Sequence, residues 1–384
     1  MNRSTDLANF LHPGHARPTA SAMDWLRGRS LGPMEPGAVL LHAPGHAFQA
    51  PGGGEVQLAR TARHLDALGV RVRPMNPWTD RLEQARLLHL FGMSREGLEL
   101  AKVARSRNVP VVLSPICWFE PSALAALAGG RLQAARALAA WGIRRAFPRV
   151  PGWRRELLQR SDAVLPNSSA EGVQLVRLFG LAPRNIRVVP NGVEPNVLDA
   201  DPGPFRALVG QADFVLYAGR IEPRKNVLGL VRACADARLP LVVVGDPVPG
   251  HESYAEQCRG VPRSSVTWIA RMDADDPVLA SAFAAARVFA LPSWFETPGL
   301  AALEAALAGC AVVITPFGCT REYFGNRAIY ARPGNIGEIS RGLRQAWEAG
   351  RGGTELAEVV HRRYLWATVA RRTAEVYDEV APTG

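Results

Sequence analysis

Two doubly wound α/β domains are what this sequence predicts, and three observations predict them. At 384 residues the chain exceeds what one hydrophobic core ordinarily organises. From Ala38 onward, short β-branched or apolar runs alternate with helical patterns, the mark of parallel sheets buried on both faces. Between residues 190 and 204, four prolines, Asn191-Gly192 and Gly203 crowd turn formers into what reads as a connector.

Residues 1–36, rich in His, Pro, Arg and Gly, read as an N-terminal extension, poorly ordered or peripheral, without the apolar centre of a signal peptide. A first domain over 37–190 takes its strands from 38–41, 70–73, 87–91, 109–113, 163–166 and 186–189. The connector occupies 191–205. A second domain over 206–361 takes strands from 214–217, 241–244, 266–269, 288–291 and 312–315. The tail, 362–384, places Leu365, Val369, Val376 and Val380 at near-helical spacing, so a helix over 362–380 is expected to end the fold.

Composition removes several classes of protein. Prolines and glycines are spread along the chain, which excludes collagen-like and low-complexity architectures. Five cysteines without a Cys-x-x-Cys pair give neither a disulfide framework nor a thiolate zinc site. No run approaches the ~18 apolar residues that span a bilayer, and a cytoplasmic location is expected. The net charge of +10 is almost all arginine, and 131–160 alone holds eight arginines against one acid, Glu156. Trp141, Ile143, Phe147, Trp153, Leu157 and Leu158 interleave with them, a composition that suits an anionic membrane surface. The alternative is the solvated face of an ordinary domain. No nucleic-acid motif accompanies the charge, and no nucleic-acid partner is expected.

The densest chemical signal is 291–310, LPSWFETPGLAALEAALAGC, which follows a buried strand and opens a helix. Thr297 and Pro298 read as N-cap and first helical residue, so the N–H groups at this helix start favour an anion such as diphosphate. Gly299 lets that anion come close. Glu296 lies before the helix, and Glu304 lies six residues past Pro298, about 9 Å along the axis. Two carboxylates thus bracket an anion site. YAGRIEPRKN places Arg220 and Lys225 at a strand's C-terminal edge, the ligand side of such sheets. A planar guanidinium and a compact ammonium hold phosphate oxygens in complementary ways.

These residues resemble family 4 of the retaining glycosyltransferases, the "glycosyl transferases group 1" proteins of GT-B fold, over about residues 38–380. The similarity rests on Glu296 and Glu304 with seven residues between them, the run holding Arg220 and Lys225, Pro190–Val193, Leu165–Glu171 and Pro51–Ala59. It implies two Rossmann-like domains facing a central cleft, with a C-terminal helix crossing back to the first. It also implies that Arg220 and Lys225 bind the diphosphate of a nucleotide-sugar donor, Glu304 its ribose and Glu296 the hydroxyls of its sugar. Glu296, Arg220 and Lys225 form the expected catalytic set. Backbone at Gly299 and Leu300 would complete the phosphate site, Gly53 and Gly54 would close on it, and Arg271 would lie near the base. His46, Ser114 and Trp118 are assigned to the acceptor side.

The activity so implied is transfer of a hexose-type unit from a UDP- or GDP-sugar to a glycan or lipid-linked glycan, with retention, without a cofactor and without metal, in polysaccharide or lipopolysaccharide assembly at the inner face of the membrane. A sugar-nucleotide epimerase or hydrolase, or a non-catalytic basic binding protein, are the alternatives. The sequence departs from the family pattern in three places, one of them after the strand 266–269, where Ala270 and Arg271 stand in place of the usual Gly. Where relatives carry Thr-x-His, this chain has Ser114, Pro115 and Ile116, and the common Glu-Gly-Phe-Gly is Glu296-Thr297-Pro298-Gly299. His42 and His46 are the candidates for a base if the reaction inverts. Asp273-Ala274-Asp275 has the form of a metal-binding Asp-x-Asp but reads as a helix cap, as does Asn167-Ser168-Ser169.

Overall fold

The computed structural model describes residues 22–29, 33–45, 47–49, 52–352 and 354–382; His46, assigned above to the acceptor, lies outside them. Five parallel strands form the first sheet: β1 (Val39–His42), β2 (Val72–Pro74), β3 (Leu87–Phe91), β4 (Val111–Ser114) and β5 (Ala163–Val164), in the order β2-β1-β3-β4-β5. Six parallel strands form the second: β6 (Val215–Ala218), β7 (Leu241–Val244), β8 (Val266–Ile269), β9 (Val288–Leu291), β10 (Ala311–Ile314) and β11 (Ile329–Tyr330), in the order β11-β10-β9-β6-β7-β8. Both orders reverse direction, at β1/β3 and at β6/β9, and such switch points open crevices at the carboxyl ends of the strands. Most of the strands are buried along their length, as double-sided helical cover requires.

Differences from the expected strands have local causes. Residues 186–189 run beside β5, with Arg187 N–H donating to the Val164 carbonyl, but only Ile186 pairs as a bridge. Pro166 has no N–H to continue the ladder. β11, two residues long, is too short to show a pattern in sequence. The expected terminal helix over 362–380 begins only at Trp366 and runs to Val380, while Arg362 and Arg363 end a separate helix, Thr354–Arg363. The connector breaks the two apart: Val193 donates to the Tyr364 carbonyl at 2.7 Å, and Trp366 N–H donates to the Val193 carbonyl at 3.3 Å. A Cβ at Gly192 would stand 2.8 Å from the Trp366 backbone nitrogen, so this crossing needs glycine there.

Helix Trp366–Val380 buries Trp366, Val369, Ala370, Val376 and Tyr377 in the core of the first domain. The chain therefore does cross back. Tyr377 hydroxyl lies 2.6 Å from His89 Nδ1, and His89 Nε2 lies 3.0 Å from Ser114 Oγ. Burial pushes His89 down to about 3, so this relay is neutral. Residues 22–29 form a helix whose Ala22 and Leu26 are buried in the same core, so this part of the N-terminal extension is not peripheral. Among the described residues no helix is long and apolar enough to cross a membrane.

Candidate functional site

A cleft of about 390 Å³ separates the carboxyl ends of the two sheets. On the second domain's side its floor is the close approach of the turns after β6 and β7. A Cβ at Gly245 would stand 1.9 Å from the Gly219 carbonyl oxygen, so backbone itself lines the cleft there.

Residues 223–225 form one short 3-10 turn that sends Lys225 inward. Its Nζ donates to Glu296 Oε1 at 2.7 Å, and Arg224 Nη1 stands 3.9 Å from the same oxygen. Glu222 spaces the cations, accepting from Arg220 at 3.4 Å and from Arg224 at 3.0 Å. Burial opposes both charges of the pair. For Lys225 burial outweighs the pull of Glu296 and lowers its pKa; for Glu296 burial is overcome by Lys225 and Arg224, which hold the carboxyl below its ordinary range.

The helix after Glu296 starts later than its sequence suggests. Thr297-Pro298 is a cis peptide, Gly299 is the N-cap with φ 92°, and the helix runs Leu300–Leu307. Thr297 instead presents its carbonyl to the side-chain amides of Asn167 and Asn191, at 3.3 and 3.4 Å. Gly299, Leu300 and Glu304 line the cleft as expected, and Arg271 stands exposed on its wall.

From the first domain, Gly52 caps helix Gly53–Ala67, and Gly53 and Gly54 present its first N–H groups to the cleft. A Cβ at Gly52 would stand 3.0 Å from the Arg220 guanidinium, so the glycine loop and the cation meet across the cleft. Further along this helix, buried Arg60 ties the domains together. It donates to Glu194 of the connector at 2.9 Å and to Asp275 of the second domain at 2.7 Å. His64 Nε2 lies 2.9 Å from the same Glu194 oxygen. Burial pushes Glu304 up to about 7, with Arg60 pulling down and Glu194 and Asp275 pushing further up.

Two acceptor-side assignments need correction. Ser114 is buried and turned to His89, so it does not reach the cleft. Trp118 packs across the seam against the core of the second domain, with its indole N–H 3.5 Å from Glu120. Ile116, two residues earlier, lines the cleft instead. Asp275 does not cap the helix that follows it, which Asp276 caps by accepting from Val278 N–H at 2.8 Å; Asp275 instead pairs with Arg60 and accepts from Ala22 N–H at 2.8 Å, at the start of the helix over 22–29. Ser168 is a helix cap as expected, accepting from Glu171 N–H at 3.0 Å. Among the described residues no group of three or more His, Cys, Asp or Glu is placed to hold a metal ion.

Sequence reasoning missed Gly52, Asn191 and Arg224. Arg224 stood inside the run that drew attention to its neighbours, whereas Gly52 and Asn191 become site residues only when the domains meet.

Two family models match the chain: "Glycosyltransferase Family 4" over residues 51–197 and "Glycosyl transferases group 1" over residues 212–349. A D-inositol 3-phosphate glycosyltransferase of Stackebrandtia nassauensis is 36% identical over 193 residues, 45% of this chain and 42% of that protein. The chain thus aligns with less than half the length of that curated relative. Among solved structures, the sucrose-phosphate synthase of Thermosynechococcus elongatus superposes with a TM-score of 0.69 at 18% identity, covering 90% of this chain and 99% of the other. Anabaena HepE in complex with UDP-glucose superposes with a TM-score of 0.63 at 16% identity, covering 90% and 100%. These likenesses establish the fold, two facing Rossmann-like domains of GT-B type.

Proposed function

The chain belongs to the family 4, group 1 glycosyltransferases, and from that premise we propose that it moves a hexose-type unit from a nucleoside diphosphate sugar to a glycan or lipid-linked glycan, with retention. The observation that carries this reading is the Lys225–Glu296 pair at 2.7 Å, which lines one cleft together with Arg220 and the glycine loop of the first domain. Arg220, Lys225 and the N–H groups at Gly53, Gly54 and Leu300 seat the diphosphate. Glu296 takes the hydroxyls of the sugar and Glu304 those of the ribose.

A nucleoside diphosphate leaves readily only when its developing charge is stabilised, and fixed cations in a water-poor cleft do this without reorganising. The bond from sugar C1 to the phosphate oxygen breaks, the acceptor oxygen bonds C1 on the same face, and the departing phosphate oxygen takes the acceptor's proton. Side chains supply the positive charge in this route, so no metal takes part. HepE binding UDP-glucose supports a UDP-sugar as the first donor to try, with GDP-sugars next.

We propose that the acceptor lies at the inner face of a membrane, in polysaccharide or lipopolysaccharide assembly. Helix Arg131–Ala146 has no fully buried residue; it exposes Leu132 and Ile143, with Phe147 just beyond its end, and along its length Arg131, Arg136 and Arg145 are exposed as well. Such a face inserts apolar side chains between anionic headgroups. A phosphorylated polyol or sugar is the second reading of the acceptor, favoured by the relatives named for inositol 3-phosphate and sucrose phosphate.

Thermal-shift titration with UDP-, GDP-, ADP- and TDP-glucose, with and without manganese, tests the donor site. At least one should raise the midpoint, since ligand at 100 times Kd stabilises by about 2.7 kcal/mol, and Lys225→Ala and Glu304→Ala should abolish that rise. Unchanged donor binding in both variants would sink the assignment. Nucleoside diphosphate released only when an acceptor is present separates transfer from epimerisation or hydrolysis.

A further inference from the structure

We propose that Glu171, assisted by Gln174, is a positioning residue for the acceptor half of the reaction: it clamps the loop after β4 so that Ile116 forms the cleft wall against which the acceptor lies. This deepens the transferase reading and rests on it. Ile116 has φ 47°, a left-handed conformation that a β-branched residue adopts only when its surroundings enforce it. What enforces it is helix Ser169–Phe179. Glu171 is fully buried, with no cation among its hydrogen-bond partners in the described residues; its Oε1 accepts from Cys117 N–H at 2.7 Å and its Oε2 from Asn167 N–H at 2.8 Å. One turn later, Gln174 accepts from Phe119 N–H at 2.8 Å and donates to the Phe119 carbonyl at 3.0 Å.

The held loop delivers Ile116 Cδ1 to 3.5 Å from where a Cβ at Gly54 would stand, beside the phosphate-facing helix start. A buried carboxylate is a costly way to fix a loop unless the placement matters. The clamp is also referenced to the donor domain. Glu322 of the second domain accepts from Ser169 and Ala170 N–H at 2.8 and 3.1 Å, capping the helix that carries Glu171. The position of the Ile116 wall is thereby set relative to the sugar held by the second domain. An apolar wall there excludes water from C1 and favours an acceptor that presents carbon-bound hydrogens.

Glu171→Gln keeps the shape but turns an amide toward one of the two N–H groups it must accept. Backbone amide exchange at Cys117 and Phe119 should then quicken by at least about tenfold. With UDP-glucose as probe donor and water as probe acceptor, hydrolysis should rise about fivefold or more while the Kd for UDP stays within about twofold. Gln174→Ala should act in the same direction with smaller effect, and serves if Glu171→Gln does not fold. Ile116→Gly should raise hydrolysis without changing exchange at Cys117. Unchanged exchange in both clamp variants overturns the proposal, as does hydrolysis falling in step with UDP affinity, which a merely structural role would produce. Should the wild-type chain fail to bind UDP or UDP-glucose, the donor reading falls, and exchange at Cys117 still decides whether the clamp exists.

Discussion

On the second domain's side of the cleft the chemistry is carried by charged side chains that hold one another in place: Lys225 on Glu296, Arg220 and Arg224 on Glu222. On the first domain's side it is carried by backbone and apolar surface, with Gly52, Gly53, Gly54 and Ile116 lining the same space. The difference follows from what each side must do. A donor diphosphate is highly charged and needs preformed countercharge, whereas an acceptor hydroxyl needs only a dry, shaped approach. One side should therefore fail when a charge is removed and the other when a backbone position is loosened.

Lys225→Met is the harshest way to break that contrast. It strips the buried ammonium from Glu296, leaving only Arg224 at 3.9 Å. Turnover should fall about 10² to 10³-fold, and unfolding in urea should show a loss approaching about 3 to 5 kcal/mol, because an uncompensated buried carboxylate remains. Adding Glu296→Gln should restore much of the stability and none of the turnover. If the double variant recovers activity, the pair is a structural ion pair only.

The basic helix extends the comparison to the outer surface of the first domain. Arg136 and Arg145 are exposed on the helix that carries Ile143, which is 57% accessible, and Arg145 lies over the ring of Trp141. Each arginine near an anionic surface contributes about 1 kcal/mol, so Arg136→Gln with Arg145→Gln should lower binding to phosphatidylglycerol vesicles about 30-fold. Thermal midpoints should not move, since Arg136 and Arg145 are both exposed. Equal sedimentation of wild type and variant with vesicles would assign the patch to solvent.

The donor half was legible in the sequence because its residues lie in the turn that follows a strand's carboxyl end or in the helix that turn opens, and local order fixes where they point. Arg220, Lys225, Glu296, Gly299 and Glu304 all reach one cleft for that reason. The acceptor half was not. Ser114 ends β4, yet it faces His89 because Tyr377, 263 positions further along, occupies the other nitrogen of that ring. Trp118 was drawn to the second domain's core, and Arg60 and Asp275 gained meaning only as a contact between domains. Even within the donor half, Thr297-Pro298 looked like a helix start because proline favours that position. The helix is capped by Gly299 instead and begins at Leu300.

Glu304 belongs to both sides, since it hangs from the donor helix and feels Arg60 of the first domain. Its carboxyl, pushed up to about 7 by burial, accepts hydrogen bonds from ribose hydroxyls best when ionised. Between pH 6 and 8 its ionised fraction rises about tenfold, so donor KM should fall by up to that factor, and Glu304→Gln should flatten the profile near the low-pH value. Stability must move the other way. A folded-state pKa raised above the unfolded value contributes stability at low pH that is lost as pH climbs through 7. Glu304→Gln should therefore raise the thermal midpoint of the empty protein at pH 8 relative to wild type and leave it nearly unchanged at pH 5. Arg60→Met removes the cation that lowers Glu304, so the KM profile should shift to higher pH. A donor KM independent of pH in the wild type would mean that Glu304 does not meet the ribose.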